Sequence, residues 1–280
     1  MSENQIAWRP FVKQAAIRTT DRLARIMKRH ALLLREAVAE DKALSALGDR
    51  LATHAFLARS TQALYIRQVN YLCALLTEHL GKRPEFLRVL DWGCGKGHIS
   101  YLLRSHGFDV TGCDLARSMD DSAFGQQTPI LDDCAIPVVP LHDATTLPFT
   151  DETFDCVVSF GVLEHVQSDS DSLSEIYRVL RPGGILFVTF LPYYLSWTQL
   201  VWRLRGVGYH DRLYSISRIR DLSRRAGFHL AGARLAQFFP KNSVALRIDQ
   251  PLEVLDRCLC AFTPLKYFAT NLEIVLLRSS

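Results

Sequence analysis

The 280-residue chain contains no run of 18 apolar residues, so the sequence offers no membrane-spanning helix. Its opening, MSENQIAWRPFVKQAA, lacks the apolar core of a secretory signal. Glycine (15) and proline (11) are too few for a fibrous or low-complexity chain. No internal repeat is visible. Cysteines fall at 73, 94, 113, 134, 156, 258 and 260, an odd number. The one close pair, Cys258 and Cys260, has a single residue between its members, too few for a zinc knuckle. No Asp, His or Glu cluster has metal-ligand spacing. A cytoplasmic, metal-independent protein with reduced thiols is the expectation.

Charge is scarce overall, at 22%, and unevenly placed. Residues 1–60 carry 11 Lys and Arg against 6 Asp and Glu, whereas the remainder is nearly neutral. The basic segment could meet phosphates, an anionic membrane face or an acidic partner, or be a solvated helix surface. After Trp8 and Phe11 its only aromatic is Phe56, so it has no stacking platform for bases. The sequence therefore speaks against a nucleic-acid partner.

What is present is periodicity. Leu23, Ile26, Met27, Ala31, Leu34 and Val38 predict a helix over 19–46, with Gly48 ending it. Leu64, Val69, Leu72, Leu76 and Leu80 predict a second helix over 60–79, closed by Gly81 and Pro84. Short apolar strands then alternate with helices. Strands are expected at 86–90, 108–113, 137–141, 154–159, 185–190, 229–237 and 272–277. Helices are expected at 98–106, 169–180 and 217–226. Cys156, Val157 and Val158 are apolar on both faces, as buried parallel strands must be. The pattern predicts an α/β, doubly wound, mostly parallel seven-stranded sheet with an N-terminal helical extension. The expected division is a helical cap over 1–83 and a ligand-binding domain over 84–280. Within the latter, the irregular, aromatic-rich stretch 191–215 is a cap on the core or an acceptor-side lid.

The ligand-binding signal is Asp91-Trp92-Gly93-Cys94-Gly95-Lys96-Gly97-His98, at the carboxyl end of the first strand and opening a helix. Glycines there allow a tight turn and a close backbone approach to a ligand. The spacing is G-x-G-x-G, which departs from the dinucleotide pattern G-x-G-x-x-G. Asp114 ends the second strand 17 residues beyond Gly97, close to the ~20-residue offset at which a carboxylate reaches ribose hydroxyls. Asp143-Ala144 follows the third strand, where a carboxylate and the next N–H can meet an adenine edge. Alternatively, Asp114 caps a helix and Asp143 caps a turn. Three groups on successive strand ends line one crevice and point to an adenosine-containing ligand.

VLDWGCGKGHIS, GCDLARSM, DATTLPFTDETFDCVVSFGVLEHV and RVLRPGGILFVTF, in this order, resemble the class I S-adenosylmethionine-dependent methyltransferases. Within these, the chain is similar to the small-molecule group typified by the quinone-biosynthesis enzymes. The likeness covers about residues 86–230. It implies a Rossmann-like fold and S-adenosylmethionine as cofactor. It implies that Asp91 and the Gly93–Gly97 loop hold the methionine end, Asp114 the ribose, Asp143-Ala144 the adenine, and that Phe160 lines the cofactor. Cys94 in the loop and Leu115 beside Asp114 complete the expected cofactor set.

Methyl transfer from a sulfonium is an in-line displacement, and a hydroxyl acceptor also needs a base. His165, in Leu163-Glu164-His165-Val166 after the fourth strand, is the first candidate and His210 the second. Each could equally be a structural or surface histidine. Glu164 is expected to orient the loop. The position where DNA amino-methyltransferases carry N/D-P-P-Y/F reads Ser159-Phe160-Gly161-Val162. The expected function is methyl transfer to a small-molecule acceptor, a hydroxyl of a sugar, lipid-linked or quinone-type metabolite. Protein or nucleic-acid methylation, or an inactive adenosine-binding module, are the alternatives. Amphipathic spacing at Leu252, Leu255, Leu259 and Phe262 is compatible with peripheral membrane contact and fits a core-facing helix better.

Overall fold

A computed structural model describes residues 19–27, 41–50, 59–115, 129–206, 212–239, 255–256, 258–260 and 262–279. Seven strands form one sheet: β1 Arg88–Trp92, β2 Asp109–Leu115, β3 Val138–Leu141, β4 Phe154–Phe160, β5 Leu180–Pro192, β6 Phe228–Ala236 and β7 Asn271–Arg278. Their spatial order is β3-β2-β1-β4-β5-β7-β6. β1 to β5 run parallel. β7 enters between β5 and β6 and is antiparallel to both.

The described helices are α1 (19–27), α2 Lys42–Arg50, α3 Arg59–Leu80, α4 His98–Ser105, α5 Pro129–Asp133, α6 Asp169–Val179, α7 Trp197–Leu204 and α8 Ile216–Arg225. Because successive strand residues point to opposite faces, Val89, Val158 and Phe187 bury against α3 and α4. Leu90, Val157 and Leu186 bury against α6 and α8. Both faces are covered, which is why the strand sequences are apolar throughout rather than alternating. Leu72, Leu75 and Leu76 of α3 are wholly buried. Truncating one of them to Ala would cost about 2–5 kcal/mol.

One detail differs from the sequence expectation. A single helix over 19–46 does not form. Asp41 accepts N–H bonds from Ala43 and Leu44 at 2.9 and 3.0 Å, an N-cap that starts α2 afresh. Gly48 lies inside that helix rather than at its end. Residues 28–40 are outside the described set.

The helical segment before residue 83 packs directly on the sheet. Tyr65, Val69 and Leu72 of α3 share one cluster with Val89, Phe108 and Phe187 of the sheet domain.

The stretch 191–215 is partly core. Tyr193 and Tyr214 are buried and bridge one another. The Tyr214 hydroxyl donates to the Leu163 carbonyl at 3.1 Å and the Asp169 carboxylate at 3.3 Å. The rest of the described stretch holds a regular helix, α7.

Candidate active site

The glycine loop joins β1 to α4 at the carboxyl edge of the sheet. Its glycines are required by contact as well as by conformation. A Cβ on Gly93 would lie 2.4 Å from Val162, and one on Gly97 would lie 2.3 Å from Leu131. Gly95 differs. At φ +50 its virtual Cβ meets nothing nearer than Asp114 Oδ2 at 4.0 Å, so open space lies before the backbone.

The loop amides are already committed. Gly93 and Cys94 donate to the Cys113 carbonyl at 2.8 and 3.1 Å, and Gly97 donates to the Cys94 carbonyl at 2.9 Å. Gly95 N–H donates to Asp114 Oδ2 at 2.7 Å. A loop with these four N–H groups satisfied is no phosphate cradle. The Cys94 side chain packs on β2, where a Cβ on Gly112 would meet its sulfur at 2.9 Å. Burial pushes its thiol well above the ordinary range, so it is a packing residue rather than a nucleophile.

Asp114 also accepts the Leu115 N–H on Oδ1 at 2.7 Å. Each carboxylate oxygen thus holds one backbone bond and retains a lone pair for a hydroxyl donor. Burial raises its pKa, against the two backbone bonds, which lower it. Asp91 is more deeply buried. It accepts from Ser100 Oγ at 2.6 Å, and desolvation pushes its carboxyl up to about 7, with the neighbouring Asp114 adding to the rise. A buried carboxyl of this kind gains from a cationic ligand group, which the ammonium of S-adenosylmethionine provides. The ribose and the methionine end of that cofactor therefore fit the groups present.

Asp143 is solvent-exposed and closes an Asx turn. Its Oδ1 accepts from both Thr145 N–H and Thr145 Oγ1 at 2.7 Å, which holds its carboxyl below the usual range. Ala144 follows, its carbonyl accepting from Ser172 at 2.9 Å. Phe160 ends β4 half-buried, its ring 5.9 Å from Phe187 and 6.0 Å from Phe190.

The Glu-His pair divides between surface and interior. His165 faces solvent, with 64% of its side chain exposed, and its Nε2 is 3.8 Å from Glu164 Oε1. Glu164 is the inward group. A Cβ on Gly161 would stand 3.7 Å from Glu164 Oε1 and 3.7 Å from Phe190 Cβ. His210 falls outside the described residues.

Sequence reading missed Phe190 and the leftover hydroxyls nearby. Phe190 has φ +62, rare for an aromatic residue, at a slip in the β5–β7 register between Val188 and Leu191. Its ring meets Tyr65 of α3 edge-on at 5.6 Å. Tyr65 in turn lies 4.7 Å from the His98 ring at the start of α4. Ser159 Oγ and Thr189 Oγ1, both buried, have no hydrogen-bond partner among the described residues. An apolar strand end carries no local signal for a bulge, so only pairing with β7 reveals it. Among the described residues no cluster of three potential metal ligands occurs, and no helix is long and apolar enough to cross a membrane.

Residues 90–188 match a protein-family model described as a methyltransferase domain. The chain is 35% identical over 175 residues to the malonyl-[acyl-carrier protein] O-methyltransferase of Erwinia pyrifoliae, covering 61% of this chain and 63% of that one. It is 43% identical over 110 residues to the demethylmenaquinone methyltransferase of Beutenbergia cavernae, covering 39% and 42% respectively. The chain thus spans less than two thirds of the curated relatives it matches.

Among solved structures, the 1,6-didemethyltoxoflavin-N1-methyltransferase of Burkholderia thailandensis, bound to its substrate and S-adenosylhomocysteine, aligns with a TM-score of 0.50. The two are 18% identical, over 88% of this chain and 93% of that one, a likeness of fold. Motif, sheet order and family model agree: residues 90–188 are a methyltransferase domain of the class I, S-adenosylmethionine-dependent kind.

Proposed function

We propose that this chain transfers a methyl group from S-adenosylmethionine to a small-molecule hydroxyl. The observation that carries the reading is the open space before Gly95, with Asp114 beside it retaining acceptor capacity. When bound, the cofactor supplies an electrophilic methyl on a sulfonium. Asp114 holds the ribose hydroxyls, and Leu115 extends from the same strand end. Asp91, ionised by a cationic partner, holds the methionine ammonium across the Gly93–Gly97 loop. Asp143 keeps its second carboxylate oxygen for an adenine amine, and the Ala144 N–H meets the ring. Phe160 and Phe190 exclude water from the strand ends. Glu164, buried beside Gly161, receives the acceptor's proton. His165 is too exposed to share a water-free site and assists from outside.

Sugar, lipid-linked and quinone-type hydroxyls are the proposed acceptor classes. The relatives named for a malonyl carrier and for demethylmenaquinone support a small or carrier-linked acceptor over nucleic acid. The chain segment after β5, residues 194–206, faces that acceptor. The test is transfer of labelled methyl from S-adenosylmethionine into fractionated extract of the source organism. Label in lipid, quinone or glycan fractions supports the proposal. Label confined to nucleic acid, or to protein in a form that thioester cleavage does not release, overturns it.

A further inference from the structure

The carboxyl end of β5 and the amino end of β7 meet at the same sheet edge as the glycine loop. Pro192 pairs with Asn271, and Tyr193 N–H donates to the Thr270 carbonyl at 3.1 Å. α7 is fixed to this edge because Trp197 Nε1 donates to the Phe238 carbonyl, just past β6, at 2.7 Å. The 3-10 turn Pro264–Phe268 leads into β7 beside it.

Large apolar side chains stand in water here. Leu204 is 79% exposed, Phe262 69%, Leu200 54%, Tyr267 53% and Phe268 48%. Leu200 and Leu204, four apart, share one face of α7. Single exposed apolar residues need no explanation, but a group gathered on two neighbouring segments does. The charged residues within segments 193–206 and 262–270 are all positive. Arg203 and Arg205 are on or next to α7, and Lys266 is in the turn. The guanidinium of Arg205 lies 5.9 Å from the Trp202 ring, and the Lys266 ammonium 5.3 Å from the Tyr267 ring. Segments 193–206 and 262–270 contain no Asp or Glu. Asp256, in the short helical piece before them, accepts the Phe239 N–H at 2.6 Å and is turned onto the backbone.

We propose that this edge, through Leu200, Leu204, Phe262, Tyr267 and Phe268 ringed by Arg203, Arg205 and Lys266, docks on an anionic lipid surface. Aliphatic tips, amphipathic aromatic rings and cations on one face match the layered polarity of a bilayer interface. A second copy of the chain is the poorer occupant. A twofold contact would set the cations against their own equivalents, with no carboxylate in either segment to pair them. Docking here would present the acceptor side of the sheet to the lipid. The inference rests on the exposed face and stands whether or not the acceptor is a lipid.

The test is cosedimentation of the full chain with vesicles of phosphatidylcholine, with and without phosphatidylglycerol. Binding to the anionic vesicles is expected, at least about tenfold stronger than to the neutral ones and weakening with salt. The double variant Leu200→Glu/Leu204→Glu should lose at least about tenfold in partition. Arg203→Ala and Lys266→Ala should each lose about fivefold, the effect of about 1 kcal/mol per cation. All should bind S-adenosylhomocysteine as the parent does, which shows that they fold. No binding to anionic vesicles, or binding that the leucine variant leaves unchanged, overturns the proposal. A dimer that this variant dissolves, without vesicle binding, assigns the face to a second copy instead.

Discussion

Around the glycine loop the polar groups are committed before any ligand arrives, whereas at the ends of β4 and β5 some are left over. The amides of Gly93, Cys94, Gly95 and Gly97 all have partners within the chain. Ser159 Oγ and Thr189 Oγ1 have none among the described residues, though both are buried. An unsatisfied buried hydroxyl costs about 1–3 kcal/mol, so it is kept where something is to use it. The loop half is a finished shelf that offers a ligand space and two carboxylates. The strand-end half holds an aromatic wall, a left-handed Phe190 and unused hydrogen-bonding capacity. In the proposed function the cofactor takes the first and the acceptor the second.

The largest effect that would break this division is at Glu164. Glu164→Gln should reduce kcat by about 10²–10⁴ with cofactor affinity kept, whereas His165→Ala should change kcat by only a few-fold. Steady-state methyl transfer to the acceptor found by labelling measures both, and the reverse ranking would return the base to the surface histidine. Next is Gly95→Val. A β-branched residue at φ +50, projecting into the ligand's space, should weaken S-adenosylhomocysteine binding at least about 100-fold by calorimetry. Normal binding would reduce the loop to a mere turn.

Asp114→Ala should weaken the same ligand by about 1.5–3 kcal/mol, the scale of hydrogen bonds to a charged group. The smallest effect is a pH slope at Asp91. Its folded pKa, about 7, lies above that of an unfolded aspartate, so the stability it lends is present at low pH and is lost as pH rises through 7. In the ligand-free protein, Asp91→Asn should raise the melting temperature more at pH 8 than at pH 5. Cofactor binding needs the ionised form, so parent affinity should fall as pH drops below 7. A flat profile in both measurements would remove Asp91 from the methionine end.

The division also marks what the sequence could tell. The loop, the aspartates at strand ends and the sheet class were legible because backbone constraints leave local traces: glycines where no side chain fits, carboxylates at fixed offsets, apolar runs without alternation. Asp91 and Asp114 stand where the motif put them. The acceptor half was legible only in outline. Nothing local in Val188-Thr189-Phe190 announces a bulge, because the slip arises from pairing with β7, about 80 residues later in the chain. Glu164 and His165 are adjacent in sequence, and only the turn after β4 decides which side chain goes inward. For Tyr193 and Tyr214 the sequence left a core-packed cap and a lid both open, and in the fold the two are buried and bridge one another. The long helix read over 19–46 failed for a simpler reason: Asp41 competes for the amides of a new helix, and periodicity alone does not weigh a cap.

The position of β7 has a consequence for how the chain acquires its shape. Among the described residues, β6 pairs with β7 and with no other strand, and β7 alone joins it to β5. During synthesis, β6 is therefore made before the strand that anchors it exists, and the edge that β7 takes stays open until residues 271–278 arrive. Until then β5 also shows an unpaired edge, apolar through Leu186, Phe187 and Val188. This interval is the hazard of the biogenesis pathway, the stage at which an exposed strand can recruit another nascent chain or a chaperone. Insertion of β7 closes both edges in one event, so the last third of the sheet matures as a unit.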